Sequence, residues 1–163
     1  MELWLALTLR DLGYLLYGGP LVAFAVLITL GQRIPGLAPE ATVRTYRAWG
    51  PGLGLALGAT ILGALGARWI QHGAFSWSFA GTAAQLDVAS WLALLALWVS
   101  NIKLEVWTLQ PLRTLDPPSG ITDPAAYRHA TRSLARHLAV HAVLVVAVVV
   151  LARAAGSPAL FGA

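Results

Sequence analysis

"RHLAVHAVLVVAVVVLA", residues 136–152, decides the fold: after Arg136 it holds no Asp, Glu, Lys or Arg and is interrupted only by His137 and His141. About 20 mostly apolar residues carry a helix across the hydrocarbon core of a bilayer, and the segment is close to that length. It reads as a membrane span with two histidines, four residues apart, at one end. They are either ligands for a metal or haem, or polar residues at the water-facing end of the helix.

Three other segments lack Asp, Glu, Lys and Arg in the same way: residues 12–32, 48–67 and 88–102. The sequence therefore predicts an all-α polytopic membrane protein, an antiparallel four-helix transmembrane bundle. Its spans lie near 12–31, 49–68, 88–109 and 135–153, in one integral membrane domain over residues 1–163. Composition agrees, because 11% of the residues are charged against about 25% in soluble domains. The first span is preceded by Glu2, Arg10 and Asp11 and followed by no small-residue cleavage pattern, so it reads as a helix and not as a signal peptide. The chain has no cysteine, which excludes disulfides, thiolate metal sites and cysteine nucleophiles.

Charge sets the expected orientation. Arg33, Arg44, Arg47, Lys103, Arg113, Arg128, Arg132 and Arg136 border the first and third connections, whereas Arg10, Arg68 and Arg153 border the other side. Basic residues concentrate on cytoplasmic loops, so both chain ends are expected outside a bacterial inner (cytoplasmic) membrane. The net charge of +4 follows from this topology and does not point to nucleic acid. Trp4, Trp49, Trp69 and Trp107 fall near proposed helix ends, where an amphipathic ring sits at headgroup level. Trp91 and Trp98, seven residues apart, share a face toward lipid or a neighbouring helix.

Small residues supply the packing signal. Gly50, Gly54 and Gly58 recur at i+4 in the second span, and Ala59, Gly63 and Ala67 form a second row. Such rows let another helix approach closely, from the same chain or from a second copy. Gly18, Gly19 and Pro20 predict a kink or widening in the first span, since proline removes a donor and crowds the preceding turn.

Ionisable residues supply the candidate site. Lys103 and Glu105 precede Trp107 and so lie at or inside the membrane boundary, where an unpaired charge is costly. Lys103 has a stem long enough to snorkel. Glu105 is shorter, and its expected partner is on another helix: Arg132, Arg136, His137 or His141. Asn101, one turn deeper, adds a polar group to that face. Asp123 before Pro124 is a helix N-cap followed by proline at the first helical position. The fourth helix then presents Arg128, Arg132 and Arg136 on one stripe and His129, Ser133, His137 and His141 on the next. Two histidines at i and i+4 with Glu105 form a plausible metal set, and His137 or His141 a candidate haem ligand, although no other span contains a second histidine. His72 reads as a solvated loop residue. Hydrolase, phosphate-binding and metalloprotease motifs are absent.

The stretches "YGGP" (17–20), "RTYRAWGPGLGLALG" (44–58), "SNIKLEVWTLQPLRTLD" (100–116) and "RHATRSLARHLAVHAVLVV" (128–146) resemble a family of small four-helix bacterial membrane proteins. That family is the uncharacterised domain related to the eukaryotic transmembrane protein linked to cisplatin resistance, and more distantly to the CopD copper-resistance membrane domain. The resemblance implies an inner-membrane bundle and hints at metal handling, with His137 at the histidine position that follows the Arg-rich helix foot. Where the family pattern has Ser and Asn three and seven residues later, this chain has Val140 and Leu144, and His141 is extra.

Three functions are compatible with these residues. The first is a non-enzymatic membrane protein, self-associating or an accessory subunit of a larger membrane complex, with Glu105, Arg136 and His137 ordering the cytoplasmic mouth. The second is a metal or haem binding protein using His137, His141 and Glu105. The third is an oligomeric small-solute or ion permease with Glu105 and Lys103 along the path. Lipid is the common partner.

Overall fold

The computed structural model describes residues 2–34, 39–73, 77, 79–117 and 120–155. The described residues are helical apart from their connections: α1 (Leu3–Arg33), α2 (Pro39–His72), α3 (Thr82–Leu104), a π-helical turn (Glu105–Leu109) running into the short α4 (Gln110–Leu115), and α5 (Pro124–Ala154). Four helical segments are long and apolar enough to cross a membrane: Leu3–Gly31, Glu40–His72, Thr82–Leu115 and Pro124–Ala154. At about 1.5 Å per residue the 31 residues of α1 extend about 46 Å, beyond a hydrocarbon core of about 30 Å. The helices therefore overrun the four charge-free segments, and Arg44, Tyr46 and Arg47 belong to α2.

Local chemistry accounts for the boundaries. The Asp123 Oδ1 accepts from the backbone N–H groups of Ala125 and Ala126 at 2.9 and 3.0 Å, with Pro124 opening α5, as the sequence predicts. Gly73 closes α2 at φ +65°, donating to the carbonyl of Trp69 at 2.8 Å; a side chain in that left-handed position would be strained. Helix α1 runs on through Pro20. The π turn sits directly before Pro111, whose ring would crowd the carbonyl four residues back and which has no N–H to give. Widening the helix to i→i+5 bonding accommodates it, as in the bond from Gln110 N–H to the carbonyl of Glu105.

Helix α1 packs on α2 and α5, and α3 packs on α5, while α2 and α3 barely meet. The core is made by residues such as Ala6, Tyr17, Leu21 and Ile28 of α1, Leu57, Ala64 and Ala67 of α2, and Leu134, Leu138 and Val148 of α5. Outward-facing Leu15, Leu55, Leu62, Leu92, Val143 and Val146 leave a broad apolar exterior, larger than soluble monomers expose. Trp4, Trp49, Trp69 and Trp107 are all more than half exposed.

Of the two small-residue rows expected to bring helices together, one does so closely. A Cβ on Gly50 would be in ordinary contact with Leu109 at 3.7 Å, one on Gly54 would just reach Asn101 at 4.0 Å, and one on Gly58 would meet nothing within 4 Å. Close approach occurs on the other row. At Gly63 a Cβ would fall 2.5 Å from the backbone nitrogen of Arg10 and 2.6 Å from the carbonyl oxygen of Ala6, and at Gly13 it would fall 2.6 Å from the backbone of Ala56 and Thr60. Reciprocal glycines, one per helix, allow α1 and α2 backbones to touch. The Gly50 to Gly58 row instead follows the α2–α3 seam, which is narrow at Gly50 and open at Gly58.

Candidate functional site: the polar interior of the bundle

The histidine stripe of α5 enters the bundle as it runs inward: His129 is exposed, His137 half-buried and His141 wholly buried. The Nδ1 of His141 lies 3.1 Å from the Tyr17 hydroxyl of α1, and its Nε2 lies 2.7 Å from the Ser100 hydroxyl of α3. In either neutral tautomer one ring nitrogen donates and the other accepts, and the hydroxyls rotate to suit. One side chain thus joins three helices. One turn away, the Nδ1 of His137 lies 3.2 Å from the Thr108 hydroxyl and 3.0 Å from the carbonyl of Ser133. Thr108 is buried and belongs to the π turn, so the irregular turn is what presents it to α5.

Glu105 stands apart from both histidines. The expected partners Arg132, Arg136, His137 and His141 do not reach it. It accepts instead from Arg113 at 2.6 Å, with both side chains 41% exposed. The π turn absorbs one extra residue, so their separation of eight positions advances the helix as seven would, two full turns, and returns both side chains to one face. Arg132 and Arg136 are exposed. Lys103, also exposed, extends over Trp107, its Nζ 5.3 Å from the ring centre, and Asn101 is half-buried facing Gly54. Among the described residues no three His, Asp or Glu side chains gather closely enough to hold a metal ion. The proposed set of His137, His141 and Glu105 is therefore not assembled, and the mouth is not ordered by Glu105, Arg136 and His137.

That end of the bundle is tied by Asp116, immediately after α4. Its carboxylate, with the side chain 1% exposed, accepts from Arg44 Nε and Nη2 at 2.8 and 2.6 Å and from Arg47 Nη1 at 3.0 Å. Arg47 also reaches the carbonyl of Leu112 at 3.4 Å. Asp116 is not among the sequence-predicted site residues; the available signal was a lone acid between basic stretches that the topology places on the same side. The Arg44 hydrogen bonds hold its carboxyl below the ordinary value of 3.8, against the opposing effect of burial. A carboxyl with a lowered folded value contributes its full stability above the ordinary value and loses it as pH falls through the lowered one. Asp116→Asn is accordingly expected to lower the Tm in detergent by several degrees at neutral pH. The difference from the parent should shrink in strong acid; one that persists unchanged there would show that the charge is not responsible.

The opposite end holds a second cluster. Arg68 pairs with Asp87 at 2.8 Å and lies over Trp77, 4.0 Å from the ring centre, while Trp77 meets Trp91 edge to face at 5.5 Å. Arg10, 1% exposed, pairs with Asp11 at 2.7 Å along α1.

No protein family, curated protein or solved structure matches this chain. The interior histidine is the most informative residue of the site. Both nitrogens of His141 are committed to hydroxyls on neighbouring helices, which makes it a three-helix clamp. To ligate a metal or haem it would have to release one of them.

Proposed function

We propose that the chain is a non-enzymatic integral membrane protein, a structural or accessory bundle that self-associates or joins a larger membrane complex. The observation that carries this reading is the clamp at His141, whose polar capacity is spent on Tyr17 and Ser100. Asp116 with Arg44 and Arg47, and Arg68 with Asp87, likewise tie helices or helix ends. Residues Ala6 and Arg10 beside Gly63, Gly13 beside Thr60, and Phe24 against Tyr46 at 5.2 Å support antiparallel packing of α1 and α2, because positions rise on one helix as they fall on the other. The excess of Arg and Lys around the first and third connections supports a cytoplasmic location for those two, with both chain ends outward, and the sequence resemblance favours a bacterial inner membrane.

Two measurements test this reading. The absence of native cysteine makes single-cysteine labelling clean: His72→Cys should react with an impermeant maleimide in intact spheroplasts, and His129→Cys only after permeabilisation. The reverse pattern would overturn the orientation. Protein purified in mild detergent should show no Soret band and no stoichiometric metal, and His137→Ala should leave that result unchanged. A bound chromophore or one metal per chain that His137→Ala removes would replace the structural reading with the binding one.

A further inference from the structure

Between α2 and α3 lies an apolar groove of about 710 Å³, lined by Gly58, Leu62 and Leu65 on one side and Trp91, Leu95 and Trp98 on the other, with Trp77 and Phe79 at one end. Of the glycine row only Gly58 lines it, presenting no side chain and no neighbour within 4 Å. Pockets of about 300–1,000 Å³ are the range that holds small ligands.

One polar atom without a partner belongs to the groove lining, and a second lies one turn away on α3. Trp91 is only 9% exposed and lines it, yet its Nε1–H is buried without a hydrogen-bond partner. One turn earlier on α3 the Asp87 Oδ1 is also buried and unpartnered, while its Oδ2 holds Arg68. A buried indole N–H ordinarily finds an acceptor, and a carboxylate oxygen a donor. The indole N–H therefore lacks an acceptor and the carboxylate oxygen a donor, and the Trp77 ring rests against Trp91.

We propose that the α2–α3 groove binds a hydroxyl-headed lipid, an apolar chain or ring body ending in an alcohol. Its oxygen accepts from Trp91 Nε1 and its proton is donated to Asp87 Oδ1, with Trp77 shifting to admit the head. A phosphate or carboxylate head is disfavoured, because the nearby cation is already paired with Asp87 and the free oxygen of Asp87 would repel an anion. A ketone or ester head would leave Asp87 unsatisfied. The proposal rests on the membrane reading above only in that the ligand arrives from the bilayer. The labelling experiment can succeed while the following one fails.

The test uses the intact chain in phosphatidylcholine vesicles, with tryptophan fluorescence quenched by 9,10-dibromo-octadecanol, by its methyl ether, or by 9,10-dibromostearic acid. Saturable quenching by the alcohol, about two- to tenfold tighter than by the ether, is the expected result, since the difference is one or two hydrogen bonds. Trp91→Phe keeps the ring and removes the donor, so it should narrow the preference for the alcohol over the ether. Gly58→Leu fills the groove from a position with open space and should abolish saturation while the helical circular dichroism is retained. Equal, non-saturating quenching by alcohol and ether would overturn the proposal in favour of bulk lipid, and tighter binding of the acid would overturn it in favour of an anion site. An unchanged alcohol preference in Trp91→Phe would also overturn it.

Discussion

Gly63→Ala is expected to lower the stability of the bundle by about 3 kcal/mol, although it adds a single methyl group. The new Cβ would stand 2.5 Å from the Arg10 nitrogen, 2.6 Å from the Ala6 carbonyl oxygen and 2.9 Å from the Arg10 Cα. All three are backbone atoms of a regular helix, so no rotamer change relieves the contact and α1 as a whole must move away. Overpacking a fitted core costs about 1–3 kcal/mol when side chains can adjust, and more when they cannot. The gain in helix propensity on replacing glycine, about 1 kcal/mol, opposes this and is smaller. Gly13→Ala should behave in the same way, because its Cβ would meet the Thr60 side chain and the backbone of Ala56 and Thr60. Gly52→Ala is the control: it sits on the same helix as Gly63 with nothing within 4 Å and should be neutral or slightly stabilising. The measurement is the denaturant midpoint of each variant in one detergent. Equal midpoints for Gly63→Ala and Gly52→Ala would refute the close α1–α2 contact.

Those two glycines also mark where sequence reading stops. Four apolar stretches, an Asp-Pro cap and basic helix feet are properties of neighbouring residues, so the helices and the N-cap of α5 could be read directly. A small-residue row says that a helix face is flat and does not say which helix meets it. Gly50, Gly54 and Gly58 share the same i+4 spacing with Ala59, Gly63 and Ala67, but the partner of α2 is decided by Gly13 and Ala6 on α1, fifty residues or so away. The same limit governs the charges. The short Glu105 side chain predicts a partner on another helix, Arg132, Arg136, His137 or His141; the π turn before Pro111 instead brings Arg113 of its own segment round to it. Asp116 illustrates the converse, a residue whose partners, Arg44 and Arg47, lie some seventy residues earlier.

His141→Ala is expected to cost about 2–4 kcal/mol, and the way that cost divides distinguishes a clamp from a ligand. Truncation leaves a cavity of imidazole size, and it orphans two hydroxyls in apolar surroundings. The two are not equivalent. Ser100 can turn its hydroxyl to the carbonyl four residues back on α3, as helical serines do, whereas the Tyr17 hydroxyl stands at the end of a rigid ring and reaches no carbonyl of its own helix. Tyr17→Phe should therefore lower stability by about 1 kcal/mol and Ser100→Ala by less. Hydrogen bonds between membrane helices average about 0.6 kcal/mol by double-mutant cycles, so the His141–Tyr17 cycle should give a coupling of that order or somewhat above. If the cycle gives zero coupling, the 3.1 Å contact contributes nothing and the clamp is refuted. If copper or zinc raises the midpoint of the parent and not that of His141→Ala, the imidazole is a ligand. A clamp predicts that both proteins ignore the metal, because coordination at either ring nitrogen would break one of the two bonds that hold α1 and α3 to α5.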